Sequence, residues 1–135
     1  GIILIKEAGG SVDRVSQLVQ ACDITVLSGD DALTLPMMSV GAKGVISVIS
    51  NVMPKEMVEL VQLANDGKFT EAAARHKTLY PLMNDLFIES NPIPVKTLLS
   101  EMGLCSDKLR LPMANMNAGN LEILKASAAK AGLSL

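Results

Sequence analysis

The stretch that decides the fold is Gly1-Ile2-Ile3-Leu4-Ile5-Lys6-Glu7-Ala8-Gly9-Gly10. An unbroken run of branched apolar residues is typical of a parallel strand that is buried on both faces. Because side chains alternate along a strand, Lys6 shares a face with Ile2 and Leu4, and Glu7 lies on the opposite face in a structural role. Lys6 thus ends a predicted strand, at the edge where α/β folds place their reactive groups. Lysine also ends many strands simply because the chain returns to water, so this position alone does not establish a role.

Composition limits the classes of protein to consider. The chain has 135 residues, 49% of them hydrophobic, and a net charge of -2. This length allows a real core, and the mild acidity argues against a nucleic-acid surface. No apolar stretch is long enough to span a bilayer and no signal peptide is visible, so we expect a cytoplasmic protein that contacts no membrane.

The few potential metal ligands argue against a metal site. Cys22 and Cys105 lie far apart in sequence, outside any CxxC pair, and are expected to be reduced and packed. His76 is the only histidine and, between Arg75 and Lys77, is expected to be solvated. We therefore expect neither a structural nor a catalytic transition metal.

Strands and helices alternate in residues 1–66. The predicted strands are the opening run, Ile24–Leu27 and Val45–Ile49. The predicted helices are Val12–Ala21, which Ser11 caps, a helix from an Asp30 N-cap to about Val40, and one that begins near Pro54. This alternation predicts a parallel sheet, and strand starts roughly every twenty residues suit a (β/α) barrel. Neither GxGxxG nor GxxxxGK[ST] is present, so nucleotide binding has little support.

The sequence predicts two domains, a partial barrel in residues 1–66 and a separate helical domain in residues 67–135. The predicted helices are Lys68–Phe87, Val95–Met102 and Leu121–Ala131, with a loop from Leu109 to Ala118. Their leucines and methionines recur at helical spacing, which is typical of core or subunit contacts rather than of a ligand site.

Three strands cannot close a barrel by themselves. The two outer strands would present unpaired backbone edges, and one sheet face would lack a cover. The sequence therefore predicts either half of a larger fold or a unit that assembles with others.

Four segments carry a resemblance to a known family. They are Ile5-Lys6-Glu7-Ala8, Leu27-Ser28-Gly29-Asp30-Asp31, Gly44-Val45-Ile46-Ser47-Val48 and Asn91-Pro92-Ile93-Pro94-Val95-Lys96. In this order, down to Leu109-Arg110-Leu111-Pro112, they resemble the carboxyl-terminal half of the dihydrodipicolinate (4-hydroxy-tetrahydrodipicolinate) synthase family. The first segment is shared by the wider pyruvate-lyase family, whereas the fourth points to the synthase.

This resemblance implies a (β/α)₈ TIM barrel with a small helical carboxyl-terminal domain, in a cytoplasmic homotetramer. It also implies a condensation of pyruvate with aspartate semialdehyde in the diaminopimelate route to lysine, with no cofactor. Lys6 matches the lysine that forms a Schiff base with pyruvate, Ile46 a residue beside bound pyruvate, and Gly29 a backbone position near the site mouth. A lysine attacks a ketone only when unprotonated, which requires a dry, apolar setting, and Leu4, Ile46 and Val48 are candidates for its wall.

Other features of the family pattern are absent or altered. Its tyrosine proton relay, entrance arginine and lysine-feedback site belong to the amino-terminal half, and Tyr80, the sole tyrosine, is in the helical part. Leu4 replaces a usual glycine and could crowd the barrel interior, and Gly9 replaces a threonine or serine. Asp30 and Asp31 would repel a phosphorylated substrate, and Asp30 is best read as a helix cap.

We expect the parent protein to be the synthase and this chain to turn over negligibly without the missing half. Two alternatives stay open: a self-associating half-barrel with no turnover, and a sister enzyme such as an N-acetylneuraminate lyase or keto-deoxy-sugar aldolase.

Overall fold

A computed structural model describes residues 1–135, which form a short parallel sheet followed by helices. In chain order the elements are β1 (Leu4–Glu7), α1 (Val12–Ala21), β2 (Thr25–Ser28), α2 (Thr34–Ser39), a 3₁₀ helix (Ile49–Asn51), α3 (Pro54–Asn65), α4 (Phe69–Asp85), α5 (Ile93–Glu101) and α6 (Ala118–Ala131). The chain is therefore a mixed α/β fold, as predicted.

The βαβ unit at the start of the chain is confirmed. Lys6 lies opposite Leu27 and Glu7 opposite Ser28 in a parallel pair of strands. The connecting helix α1 covers the predicted residues, and the Ser11 hydroxyl accepts a hydrogen bond from the N–H of Arg14. The cap satisfies a backbone donor that has no partner within the helix.

The predicted third strand, Val45–Ile49, is wrong in extent. Only Val45 pairs with the sheet, through a parallel bridge to Ser28. The chain then turns into the 3₁₀ helix, because the N–H groups of Val48 and Ile49 bond to the carboxylate of Asp31 rather than to a strand. A side-chain acceptor has ended the ladder early.

The two faces of the sheet differ in cover. On the face packed against helices, Val26 and Ser28 are buried. On the other face Lys6 is exposed and Leu4 retains 44% of its accessible surface. The expectation that the first strand is buried on both faces is therefore wrong for this chain, because Leu4 and Lys6 are left exposed.

The helical part packs onto the βα part through continuous apolar contacts. Helix α4 lies between α3 and α6. One buried cluster extends from Val15 and Val26 to Leu124 and Ala128. The division into domains at residue 66 stays a prediction.

Helices α6 and α2 begin at other residues than the sequence predicts. Helix α6 begins at Ala118 rather than Leu121, because the Asn117 side chain accepts a hydrogen bond from the N–H of Gly119. Helix α2 is shorter than predicted and begins at Thr34, after a turn.

Two surface features complete the fold. Cys22 and Cys105 are free, but both are exposed rather than packed. None of the helices is long and apolar enough to cross a membrane.

Candidate functional site

Lys6 and Gly29 meet at the carboxyl ends of the two strands. The N–H of Gly29 donates to the carbonyl of Glu7 at 2.7 Å, which continues the β1–β2 ladder by one residue. A Cβ built on Gly29 would lie 2.9 Å from Cε of Lys6 and 2.5 Å from Cβ of Ala8. The absence of a side chain at residue 29 thus leaves the space through which the lysine stem passes.

Ile46 lies on the same face of the sheet as Lys6. It follows Val45, the residue that pairs with Ser28 of β2. The N–H of Ser28 donates to the carbonyl of Gly44, and the N–H of Ile46 donates to the carbonyl of Ser28, each at 2.8 Å. Since Glu7, Ser28 and Val45 form one row, the alternation of side chains places Lys6, Gly29 and Ile46 together on the opposite face. The fold therefore brings these three predicted positions to one edge and one face.

This chain does not enclose the lysine. Ile46 retains 44% of its accessible surface, and Val48 is half-buried. A groove of about 380 Å³ lies nearby, between the sheet end and α3, but Lys6 is absent from its lining. The apolar wall predicted from Leu4, Ile46 and Val48 is therefore incomplete within residues 1–135.

The loop that follows β2 is held by its own side chains. The Ser28 hydroxyl donates to the carbonyl of Asp30 at 2.7 Å. The Asp30 carboxylate accepts from the N–H groups of Ala32 and Leu33 at 2.9 and 3.3 Å. Asp30 is thus a cap, as predicted, but it caps the turn before α2 rather than the first turn of the helix.

Asp31 is the residue at this edge whose contacts the sequence did not predict. The residue is 2% exposed, and its Oδ2 accepts the N–H groups of Val48 and Ile49, each at 2.9 Å. Its Oδ1 is buried and has no donor within the chain. The only sequence signal was a second acidic residue placed directly after a cap residue, in a loop that ends a strand.

Two further predicted roles can be compared with the structure. Glu7 has a local structural contact, since its Oε1 accepts the N–H of Gly9 at 2.7 Å. His76 was expected to be solvated, but it is half-buried beside Tyr80, and its Nδ1 is buried without a hydrogen-bond partner. Burial lowers the pKa of His76, because desolvation disfavours the charged imidazolium.

No group of three or more His, Cys, Asp or Glu side chains is arranged to hold a metal ion. At the strand ends the primary amine of Lys6 lies on the same face as the Gly29 backbone and the apolar side chain of Ile46.

Comparison with known proteins gives one consistent family. The sequence profile of the dihydrodipicolinate synthetase family matches residues 1–131. The 4-hydroxy-tetrahydrodipicolinate synthase of Methanococcus maripaludis strain C5 is 50% identical over 119 residues, covering 88% of this chain and 41% of that protein. The synthase of Sulfurihydrogenibium sp. is 53% identical over 127 residues, covering 92% and 43% respectively.

Solved structures agree with these relatives. The synthase of Methylacidiphilum fumariolicum SolV superimposes with a TM-score of 0.95 at 56% identity, over 97% of this chain and 44% of that one. The synthase of Aquifex aeolicus gives a TM-score of 0.95 at 46% identity, over 99% and 46%. The chain therefore spans less than half the length of the relatives that it matches.

Proposed function

The chain belongs to the dihydrodipicolinate synthetase family, and we propose that it carries the Schiff-base lysine of a 4-hydroxy-tetrahydrodipicolinate synthase. Lys6 is the nucleophile that binds pyruvate, and Gly29 and Ile46 line the pyruvate site. The observation that supports this most directly is the packing of the Lys6 stem across Gly29, on the sheet face that also presents Ile46.

The proposed chemistry begins with a covalent bond. The unprotonated Nζ of Lys6 attacks the C2 carbonyl of pyruvate, and loss of water leaves an iminium ion. The iminium withdraws electrons, so a methyl proton of pyruvate leaves and an enamine forms. The enamine carbon attacks the aldehyde of aspartate semialdehyde, whose oxygen takes up the proton that the methyl group lost, and the iminium to Lys6 re-forms. The amine of the adduct then attacks the iminium carbon and releases Lys6 as the free amine, which closes the ring. This condensation belongs to the route to diaminopimelate and lysine.

Because Lys6 is exposed in this chain, the proposed site needs further residues that cover the amine. An amine on an open surface stays hydrated, whereas Schiff-base formation is favoured by an apolar and water-poor setting. In this proposal β1, β2 and the segment 44–46 are adjacent strands of a (β/α)₈ barrel, and its amino-terminal half covers Lys6. That half also supplies the proton relay and the contacts to the second substrate. Assembly into a homotetramer and a cytoplasmic location are part of the same proposal.

Borohydride trapping tests the proposal. Pyruvate and borohydride are added to the chain alone, to the chain mixed with the unmatched part of the M. fumariolicum synthase, and to a fusion of the two. Intact mass and peptide mapping then locate any pyruvyl adduct. We expect an adduct on Lys6, and turnover with aspartate semialdehyde only when the second part is present.

The other outcomes identify the alternatives. The absence of an adduct in the mixture and in the fusion contradicts the proposal and leaves a self-associating half-barrel as the better description. An adduct on Lys6 that leads to turnover with an amino-sugar aldehyde, and not with aspartate semialdehyde, indicates an N-acetylneuraminate lyase.

A further inference from the structure

Asp31 joins the loop that follows β2 to the segment that follows Val45. It follows β2 by three residues, yet its Oδ2 accepts the N–H groups of Val48 and Ile49, 17 and 18 residues further along the chain. Hydrogen bonds from backbone N–H groups to an ionised carboxylate are stronger than those between neutral groups. Each of the two bonds therefore holds one loop against the other.

The bonded segment is the one that carries Ile46. Its start is fixed by the N–H of Ile46, which donates to the carbonyl of Ser28 at 2.8 Å. Its end is fixed by Asp31, at the point where the strand gives way to the 3₁₀ helix. Residues 46–49 are thus attached at one end to the last residue of β2 and at the other to Asp31, in the following loop that also holds Gly29.

We propose that Asp31 is a positioning residue for the pyruvate site, which sets the distance between the Ile46 side chain and the Gly29 backbone across the face of Lys6. This inference rests on the proposed function and adds to it a residue that touches no reacting atom. Loss of the two hydrogen bonds frees residues 47–49 and lets Ile46 move away from the position that pyruvate requires.

A structural role alone predicts a different result. If the carboxylate only stabilises the fold, its loss lowers the melting temperature but leaves the pyruvate dependence of the folded fraction unchanged. If it positions Ile46, the pyruvate concentration needed for half-maximal trapping must rise. The two roles therefore predict different half-saturating pyruvate concentrations. A smaller folded fraction does not by itself change that concentration.

The experiment uses the fusion with the unmatched part of the M. fumariolicum synthase, and measures borohydride trapping against pyruvate concentration. We expect Asp31→Ala to raise the half-saturating concentration about tenfold or more, since small misplacements at a reacting site are costly. We expect Asp31→Asn to raise it less, because an amide oxygen can still accept both N–H groups. If Asp31→Ala does not fold, Asp31→Asn still carries the test, because a neutral acceptor weakens both hydrogen bonds and the half-saturating concentration should then rise together with the amide exchange of residues 48 and 49.

Val15→Ala is the matched control, because it removes buried methyl groups from α1, away from the loop pair. It should lower the melting temperature and leave the half-saturating concentration unchanged. Amide hydrogen exchange at residues 48 and 49 should increase in the Asp31 variants only.

An unchanged half-saturating concentration in Asp31→Asn and Asp31→Ala, with faster exchange at residues 48 and 49, overturns the positioning role and leaves the proposed function intact. Failure of the unsubstituted fusion to form an adduct on Lys6 instead overturns the proposed function, and the role of Asp31 with it.

Discussion

Gly29 borders the stem of Lys6 so closely that a Cβ at residue 29 would lie 2.9 Å from Cε of the lysine. The same Cβ would lie 2.5 Å from Cβ of Ala8, which has no flexible chain to move aside. The route of the lysine side chain toward the strand ends therefore depends on a residue of the neighbouring strand end.

Gly29→Ala should displace the Lys6 side chain and strain the strand ends. We expect trapping of pyruvate by the fusion to fall about tenfold or more, since the amine is misplaced, and the free energy of unfolding to fall by about 1–3 kcal/mol. Intact mass and urea denaturation measure the two effects. Gly44→Ala is the control, because a Cβ there meets only ordinary contacts, at 3.6 and 3.9 Å. Equal trapping by the two variants would contradict the prediction.

Lys6→Arg should abolish the pyruvyl adduct and leave the fold intact. The guanidinium keeps the positive charge but stays protonated, so it cannot attack a ketone. Because residue 6 is exposed, we expect the free energy of unfolding to change by less than about 0.5 kcal/mol. An adduct that persists in the variant, mapped to another lysine, would remove Lys6 from the mechanism.

Leu79→Ala should destabilise the helical part. The side chain is fully buried in α4, and a Leu→Ala change in a core costs about 2–5 kcal/mol. Urea denaturation measures the loss. Leu104→Ala, at a leucine that is 65% exposed, is the matched control, and its expected change is within about 0.5 kcal/mol. If the two variants lose similar stability, α4 is not packed as described.

His76 should make the stability depend on pH on the acid side of neutrality. Its pKa is lowered by burial, so the folded state binds a proton less readily than the unfolded state does. Stability is therefore fully present above the pKa of about 6.5 of an unfolded histidine and is lost as the pH falls toward the lower folded pKa. Urea denaturation at pH 7.5 and 5.5 measures this loss.

His76→Gln removes the titrating group and is the comparison for the pH series. We expect the variant to lose less stability than the original protein between the two pH values. A parallel loss in both proteins would show that the acid sensitivity arises from other groups.

The sequence was most informative where a pattern is local. The spacing of apolar residues and the cap at Ser11 predicted α1 at its observed bounds, and Pro54 marked the start of α3. Local patterns were less informative where a distant partner intervenes. The run Val45–Ile49 has strand composition throughout, but Asp31 takes the N–H groups that a longer strand would have used.

The candidate site also combines features that local sequence predicts with features that depend on distant residues. From the sequence alone, Lys6 was the amine at a strand end, and the family motifs added Gly29 and Ile46. The sequence did not indicate that Asp31 is buried, or that it joins the loop after β2 to the segment after Val45. A second aspartate after a cap residue reads equally well as a solvated charge, because burial depends on which segment folds over it.

The sequence by itself determined the opening βαβ unit, the succession of helices after it and the family, and it singled out Lys6 as an amine at a strand end. Only the tertiary structure decided how far the third strand extends, that Gly29 leaves the space for the Lys6 stem, and that Lys6 stands on an uncovered face. The physical reason is the distance along the sequence over which each effect acts. Periodicity and capping act within a few residues, whereas the limit of a strand, a close approach and the cover of a face depend on atoms that the fold brings together from distant parts of the chain.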